Sequence, residues 1–142
     1  MNREERHVLI VEDEPVLAEI ALRVFHEPPA WQAFRVMDGE AALRFLYKET
    51  GDSAAWDPDL ILLNNFLPKR TGLAVLEKIK THTELRVIPV VIWAIGDEEE
   101  ALQAYGLGAA AFIRKPPDFT KLADQVRQIK RFWEGALFPV AR

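Results

Sequence analysis

Short apolar runs alternate with helical spacings along the whole chain. Val8-Leu9-Ile10-Val11 is wholly apolar and stops abruptly at Glu12-Asp13-Glu14, the pattern of a buried strand that delivers acidic residues to a loop. Pro15 stands at a first helical position, and Leu17, Ile20, Ala21 and Val24 follow at i, i+3, i+4 and i+7, predicting a helix that stops at Pro28-Pro29. Phe34-Arg35-Val36-Met37 alternates weakly and predicts a second strand, closed by Asp38-Gly39. Residues 40–49 predict a helix and Thr50-Gly51-Asp52-Ser53 a turn-rich loop. Leu60 to Leu63 is the third strand, and a helix after Gly72 turns Val75, Leu76 and Ile79 inward. Pro89 to Trp93 is the fourth strand, Asp97 opens a helix through Tyr105, and Ala110 to Ile113 is the fifth strand. A last helix from near Asp118 buries Leu122, Val126, Ile129 and Trp133.

Strands that are apolar on both faces require a parallel sheet covered by helices on either side. Right-handed crossovers then give an α/β, flavodoxin-like, doubly wound five-stranded sheet, and residues 1–142 read as one domain. In such sheets ligands meet the carboxyl ends of the strands. Glu12 and Asp13 after strand one, Asn64 after strand three and Lys115 after strand five are the polar residues delivered there.

Composition narrows the classes. The chain has 142 residues, enough for a core without staples, and no cysteine, which excludes disulfides and thiolate metal sites. A net charge of -4 argues against non-specific nucleic-acid binding. No apolar run approaches the ~20 residues that span a bilayer, and Met1 to Arg6 carries no signal-peptide core, so a cytoplasmic protein with no membrane partner is expected.

Five segments in order resemble the receiver domain of two-component response regulators: Val8 to Asp13, Asp59 to Leu63, Leu67-Pro68 with Gly72, Ile88 to Ile92, and Lys115-Pro116. Pro68 to Gly72, Glu84 to Pro89, and Phe132-Trp133 with Leu137 and Pro139 are similar to the single-domain regulators that partner bacterial phytochrome kinases, so no output domain is expected. In that family an acidic pair, an acceptor aspartate and a backbone carbonyl bind Mg²⁺, and the aspartate takes a phosphoryl group from a phosphohistidine. A lysine then pairs with the phosphoryl oxygens, a Thr or Ser at the end of strand four bonds them, and an aromatic on strand five reorients.

Carried over by position, the resemblance makes Glu12 and Asp13 the acidic pair, Phe66 the carbonyl and Lys115 the lysine. Asn64 stands at the acceptor position, Ala94 where the hydroxyl belongs, and Phe112 at the switch aromatic without a hydroxyl. An amide oxygen is neutral and a poor nucleophile, and an alanine bonds nothing, so two linked steps are missing. Glu12 and Asp13 equally suit an ordinary helix N-terminus; any Mg²⁺ site of Glu12, Asp13 and the Phe66 carbonyl is expected to be weak. Lys115 is expected to pair with Asp13 or the Asn64 oxygen, its bond to Pro116 to be cis, and Trp93 to fill space near the fourth helix. His7, His26 and His82 read as surface or strand-edge residues.

Phe132, Trp133, Leu137 and Phe138 cluster at and beyond the end of the last helix, and an exposed apolar patch marks an association surface. A homodimer through residues 110–142, with Phe112 included, is the expectation. The leading reading is a non-enzymatic, degenerate receiver that acts by binding a sensor histidine kinase or another response regulator. Its alternative is a phosphoreceiver with an unusual acceptor or a deamidated Asn64. A flavodoxin-like small enzyme shares the topology, but Glu12-Asp13-Glu14-Pro15 is opposite in charge to a phosphate-cradling loop.

Overall fold

Side-chain alternation along the strands splits the interior into two cores, one on each face of a single sheet. A computed structural model describes residues 5–49 and 56–139; the turn-rich segment expected at residues 50–53 lies outside them. The strands β1 (His7–Val11), β2 (Gln32–Val36), β3 (Leu60–Leu63), β4 (Val90–Ala94) and β5 (Ala111–Arg114) pair in parallel in the order β2-β1-β3-β4-β5. On one face Val8, Ile10, Leu60, Leu62, Val91 and Trp93 pack under helices α1 (Pro15–His26) and α5 (Leu122–Glu134). On the other, Leu9, Val11, Ile61, Leu63, Val90, Ile92 and Ala94 meet α2 (Gly39–Leu46), α3 (Gly72–Thr81) and α4 (Glu98–Gly106). This is the doubly wound flavodoxin-like architecture that the apolar runs imply.

The expected elements all appear, with shifts that have local causes. α1 starts at Pro15 with the Glu14 carboxylate accepting from the Val16 N–H. β2 begins two residues early because the Gln32 N–H bonds the Arg6 carbonyl beside β1. α2 stops at Leu46 instead of continuing to 49, and Lys48 then takes a left-handed φ of 61°, which an L-residue cannot sustain in a helix. Trp93 lies on the α5 side and not toward α4, because it shares strand parity with Val91, and its indole N–H donates to Gln125 at 2.6 Å. The cis peptide among the described residues is Pro28-Pro29, not Lys115-Pro116.

Between β2 and β3 the chain crosses from one side of β1 to the other, so the sheet's winding reverses at β1 and β3. Val11 and Leu63 are register partners on these neighbours, and the residues that follow them, Glu12 and Asn64, emerge side by side in the crevice.

Candidate functional site

Glu12, Asp13, Asn64 and Lys115 converge on this crevice as the strand ends require. The Asn64 side chain is buried and its amide nitrogen is the hub. Nδ2 donates to Glu12 Oε2 at 3.2 Å, Asp13 Oδ1 at 3.1 Å and the Phe66 carbonyl at 3.2 Å. Two N–H hydrogens thus serve three acceptors, one of them shared. Glu12, 1% exposed, spends its other oxygen on Lys115: Nζ to Oε1 is 2.8 Å.

Lys115 therefore pairs with Glu12 rather than with Asp13 or Asn64. The amide turns its donor face to the acidic pair, which leaves Glu12 Oε1 as the acceptor on the β5 side. Lys115 Nζ also lies 4.8 Å from the Trp93 ring centroid, a buried cation–π contact. Gln125 carries this anchor to α5, accepting from Trp93 and donating to the Arg114 carbonyl at 2.8 Å. Burial pushes the Glu12 carboxyl above the usual carboxylate range, and the bond and charge of Lys115 offset only part of that.

Second-layer contacts fix the loops. Arg35 of β2 donates to the backbone carbonyls of Glu12 at 2.9 Å and Asp13 at 3.3 Å. Gly72 opens α3 where its N–H reaches the Asn65 carbonyl at 2.8 Å, and a β-carbon there would collide with the Asn64 carbonyl oxygen. Asn65 is buried and uses both ends of its amide: Oδ1 accepts from the Leu73 N–H at 3.1 Å, and Nδ2 donates to Glu100 Oε2 at 2.9 Å. Ala94 is fully buried at the end of β4, and Phe112 is half-buried with its ring tip against Gly96.

Asn65, Glu100, Arg35 and Gln125 escaped the sequence reading. Asp97-x-x-Glu100 carried the capping-box signal that places Glu100 on α4's first turn, and the box is present. Nothing in the local pattern tied the other three to the crevice.

A divalent cation does not fit this arrangement. The oxygens that would ligate it already surround the Asn64 nitrogen, which stands at their centre as a donor. Among the described residues no group of three or more His, Cys, Asp or Glu side chains is placed to hold a metal ion.

At the far end of β5, Trp133 and Phe138 are half-buried against the chain itself. Phe138 packs on Trp31 and Trp133, with ring centroids 6.4 and 6.1 Å away, and the Arg6 guanidinium lies over it. It therefore has a place in this chain's own fold, and the exposed patch expected at the end of the last helix is correspondingly smaller. Phe132 and Leu137 remain exposed, and Phe132 lines a groove of about 430 Å³ together with Ile113, Ile129 and Trp133. His82 accepts from the Glu84 and Leu85 N–H groups at the end of α3, His26 is exposed, and His7 starts β1.

Residues 8–127 match the response regulator receiver domain. The chain belongs to that family. Its place is two-component signalling. It is 33% identical over 130 residues to the probable methanogenesis regulatory protein FilR2 of Methanothrix harundinacea, covering 90% of this chain and 83% of that one. It is 30% identical to the response regulator Rcp1 of Synechocystis, covering 94% and 93%. Among solved structures it is similar to the Mn²⁺-bound form of Rcp1 (TM-score 0.90, 29% identity, 95% and 99% covered). It is equally similar to the phosphorylated cyanobacterial phytochrome response regulator RcpA (TM-score 0.91, 29% identity, 96% and 99% covered). Among the described residues no helix is long and apolar enough to cross a membrane.

Proposed function

We propose that this receiver domain signals without phosphotransfer, by binding other proteins in one fixed conformation. The observation that carries the reading is the Asn64 amide, whose nitrogen is bonded to Glu12, Asp13 and the Phe66 carbonyl. A phosphoryl acceptor needs a carboxylate oxygen free to attack and a cation to neutralise the developing charge. Asn64 offers neither, and Ala94 has no hydroxyl with which to sense a phosphoryl group. Rcp1 has been seen with Mn²⁺ and RcpA phosphorylated; the present chain offers an amide, Asn64, where the receiver pattern calls for an acid.

The partner is a sensor histidine kinase or a second response regulator, of the phytochrome-linked kind that the relatives suggest. Exposed apolar side chains on α1 (Val16), α4 (Leu102 and Tyr105) and α5 (Phe132) supply contact surface. A homodimer through β5, α5 and the segment after it uses Phe132 and Leu137, with Trp133 and Phe138 packed on the same face of the sheet and Phe112 on the other face of β5. Light scattering at micromolar concentration tests it: a dimer is expected, and a strict monomer removes it.

The central test is intact mass after incubation with acetyl phosphate and Mg²⁺, or with a phosphorylated kinase of the phytochrome class. An unchanged mass is expected. An acid-labile, Mg²⁺-dependent gain of one phosphoryl group overturns the proposal.

A further inference from the structure

In a receiver that responds to phosphate, something must connect the acceptor loop to the start of α4 only when the phosphoryl group is present. Here the protein's own side chains make a connection. Asn65, next to the acceptor position, is buried and holds both sides of the gap: its oxygen takes the Leu73 N–H at the start of α3, and its nitrogen reaches Glu100 Oε2 in the first turn of α4. The second oxygen of Glu100 is also committed, accepting the Asp97 N–H at 3.3 Å while Asp97 accepts the Glu100 N–H at 2.9 Å. One carboxylate thus ties the cap of α4 to the β3–α3 loop.

The turn between β4 and α4 is shaped to match. Gly96 carries no side chain, and the Phe112 ring occupies the space: a β-carbon at Gly96 would lie 2.7 Å from Phe112 Cζ and 3.4 Å from Glu100 Oε1. Phe112, Gly96 and Glu100 are therefore in mutual register. Ala94, just before this turn, is fully buried and presents nothing that a ligand could pull. The Tyr105 hydroxyl of α4 accepts the Phe112 N–H at 3.1 Å and fixes β5 against the same helix.

We infer that Asn65 and Glu100 form a permanent latch that holds α4 and the inward Phe112 ring in one arrangement, replacing the contact a phosphoryl group would make. The inference rests on the reading of Asn64 as a non-accepting position. Its chemistry is directional. Asn65 cannot flip its amide to suit a donor on α4 without losing the Leu73 N–H, so an acceptor at position 100 is required.

Glu100→Gln isolates the latch. Glutamine keeps one oxygen for the Asp97 N–H and so preserves the cap of α4, but it turns an NH₂ toward the Asn65 NH₂. Asn65→Asp is the second variant: it retains an acceptor for Leu73 and sets a carboxylate against Glu100. Glu99→Gln, on an exposed neighbour, is the control. The readouts are relaxation-dispersion NMR at Gly96 and Phe112 and hydrogen exchange at the Leu73 and Gly96 amides. Wild type and the control are expected to show one conformer on the millisecond scale. Both latch variants are expected to show exchange at Gly96 and Phe112 together, with amide exchange about tenfold faster, the change that loss of a charge-assisted hydrogen bond gives. Folded variants that leave both residues unmoved overturn the latch, as does a wild type that already interconverts. Intact mass after acetyl phosphate, taken on the same wild-type sample, separates the two ideas: a phosphorylated wild type defeats the non-accepting site whatever the NMR reports.

Discussion

Introducing a third acid, Asn64→Asp, should destabilise the protein until a divalent cation is supplied. Asn64 Nδ2 lies 3.2 Å from Glu12 Oε2 and 3.1 Å from Asp13 Oδ1, so an aspartate oxygen at that point replaces two attractive contacts with two repulsive ones. Unit charges 4 Å apart interact by about 4 kcal/mol at an effective dielectric of 20. Two repulsions near that size face one compensating attraction to Lys115, and relaxation with partial protonation removes more. The net cost is about 3 kcal/mol in EDTA, worth roughly 12 °C of melting temperature for a domain of this length. A cation at a hundred times its dissociation constant returns ~2.7 kcal/mol.

Thermal melts with EDTA and with millimolar Mg²⁺ check the reasoning in four curves. Wild type should be the more stable protein in EDTA and gain almost nothing from Mg²⁺. The variant should be less stable in EDTA and recover most of the loss with the metal. Equal stability of the two in EDTA, or an equal Mg²⁺ gain, refutes the claim that the amide stands where a cation would bind.

Glu12→Gln should alter the pH dependence of stability. The folded-state pKa of Glu12 lies above its unfolded value, so its contribution is fully present below the ordinary carboxylate pKa and is lost as pH rises through the folded value. Urea denaturation between pH 4 and pH 7 should show a downward component in wild type that the glutamine variant lacks; parallel curves would count against the assignment. Gly72→Ala should cost about 3 kcal/mol by the same assay, because the new methyl meets the Asn64 carbonyl oxygen and comes within 2.7 Å of Asn65 Cα, and backbone atoms cannot yield cheaply. Leu76→Ala, fully buried under the sheet, should cost 2–5 kcal/mol by roughly the usual cavity scale while leaving the phosphotransfer assay unchanged. Phe132→Asp with Leu137→Asp should leave the melting temperature within about 2 °C of wild type, since both side chains are exposed, while abolishing any dimer seen by light scattering.

How far the sequence could be read follows from the range of the forces involved. Val8 to Val11 and Leu60 to Leu63 announce buried strands by composition alone, and parallel winding then brings Glu12 and Asn64 together with little freedom left. Lys115 was placed correctly but paired wrongly, because its partner depends on which end of the Asn64 amide faces the acids. Trp93 belongs to the α5 face by parity with Val91, yet parity does not say which helix covers which face. The Asn65–Glu100 bond spans 35 positions and leaves no local trace. Phe138 looked unplaced because only the folded chain brings Trp31 beneath it.

The polar groups of this crevice are largely bonded to one another. Glu12 accepts from Lys115 through one oxygen and from Asn64 and the Glu14 N–H through the other. The Asn64 N–H groups are fully engaged, and Asn65 and Glu100 close the path to α4. A phosphoryl ligand would have to share Lys115 with Glu12, and drawing the ammonium fully away would strand a buried carboxylate at a cost of about 3–5 kcal/mol. A site built for a ligand leaves donors waiting for it. Here the Asn64 amide supplies the donor to the acidic pair and brings no negative charge to recruit a cation. On the proposed reading the two features work in one direction: side chains, rather than a phosphoryl group, hold the acceptor loop and α4 in place.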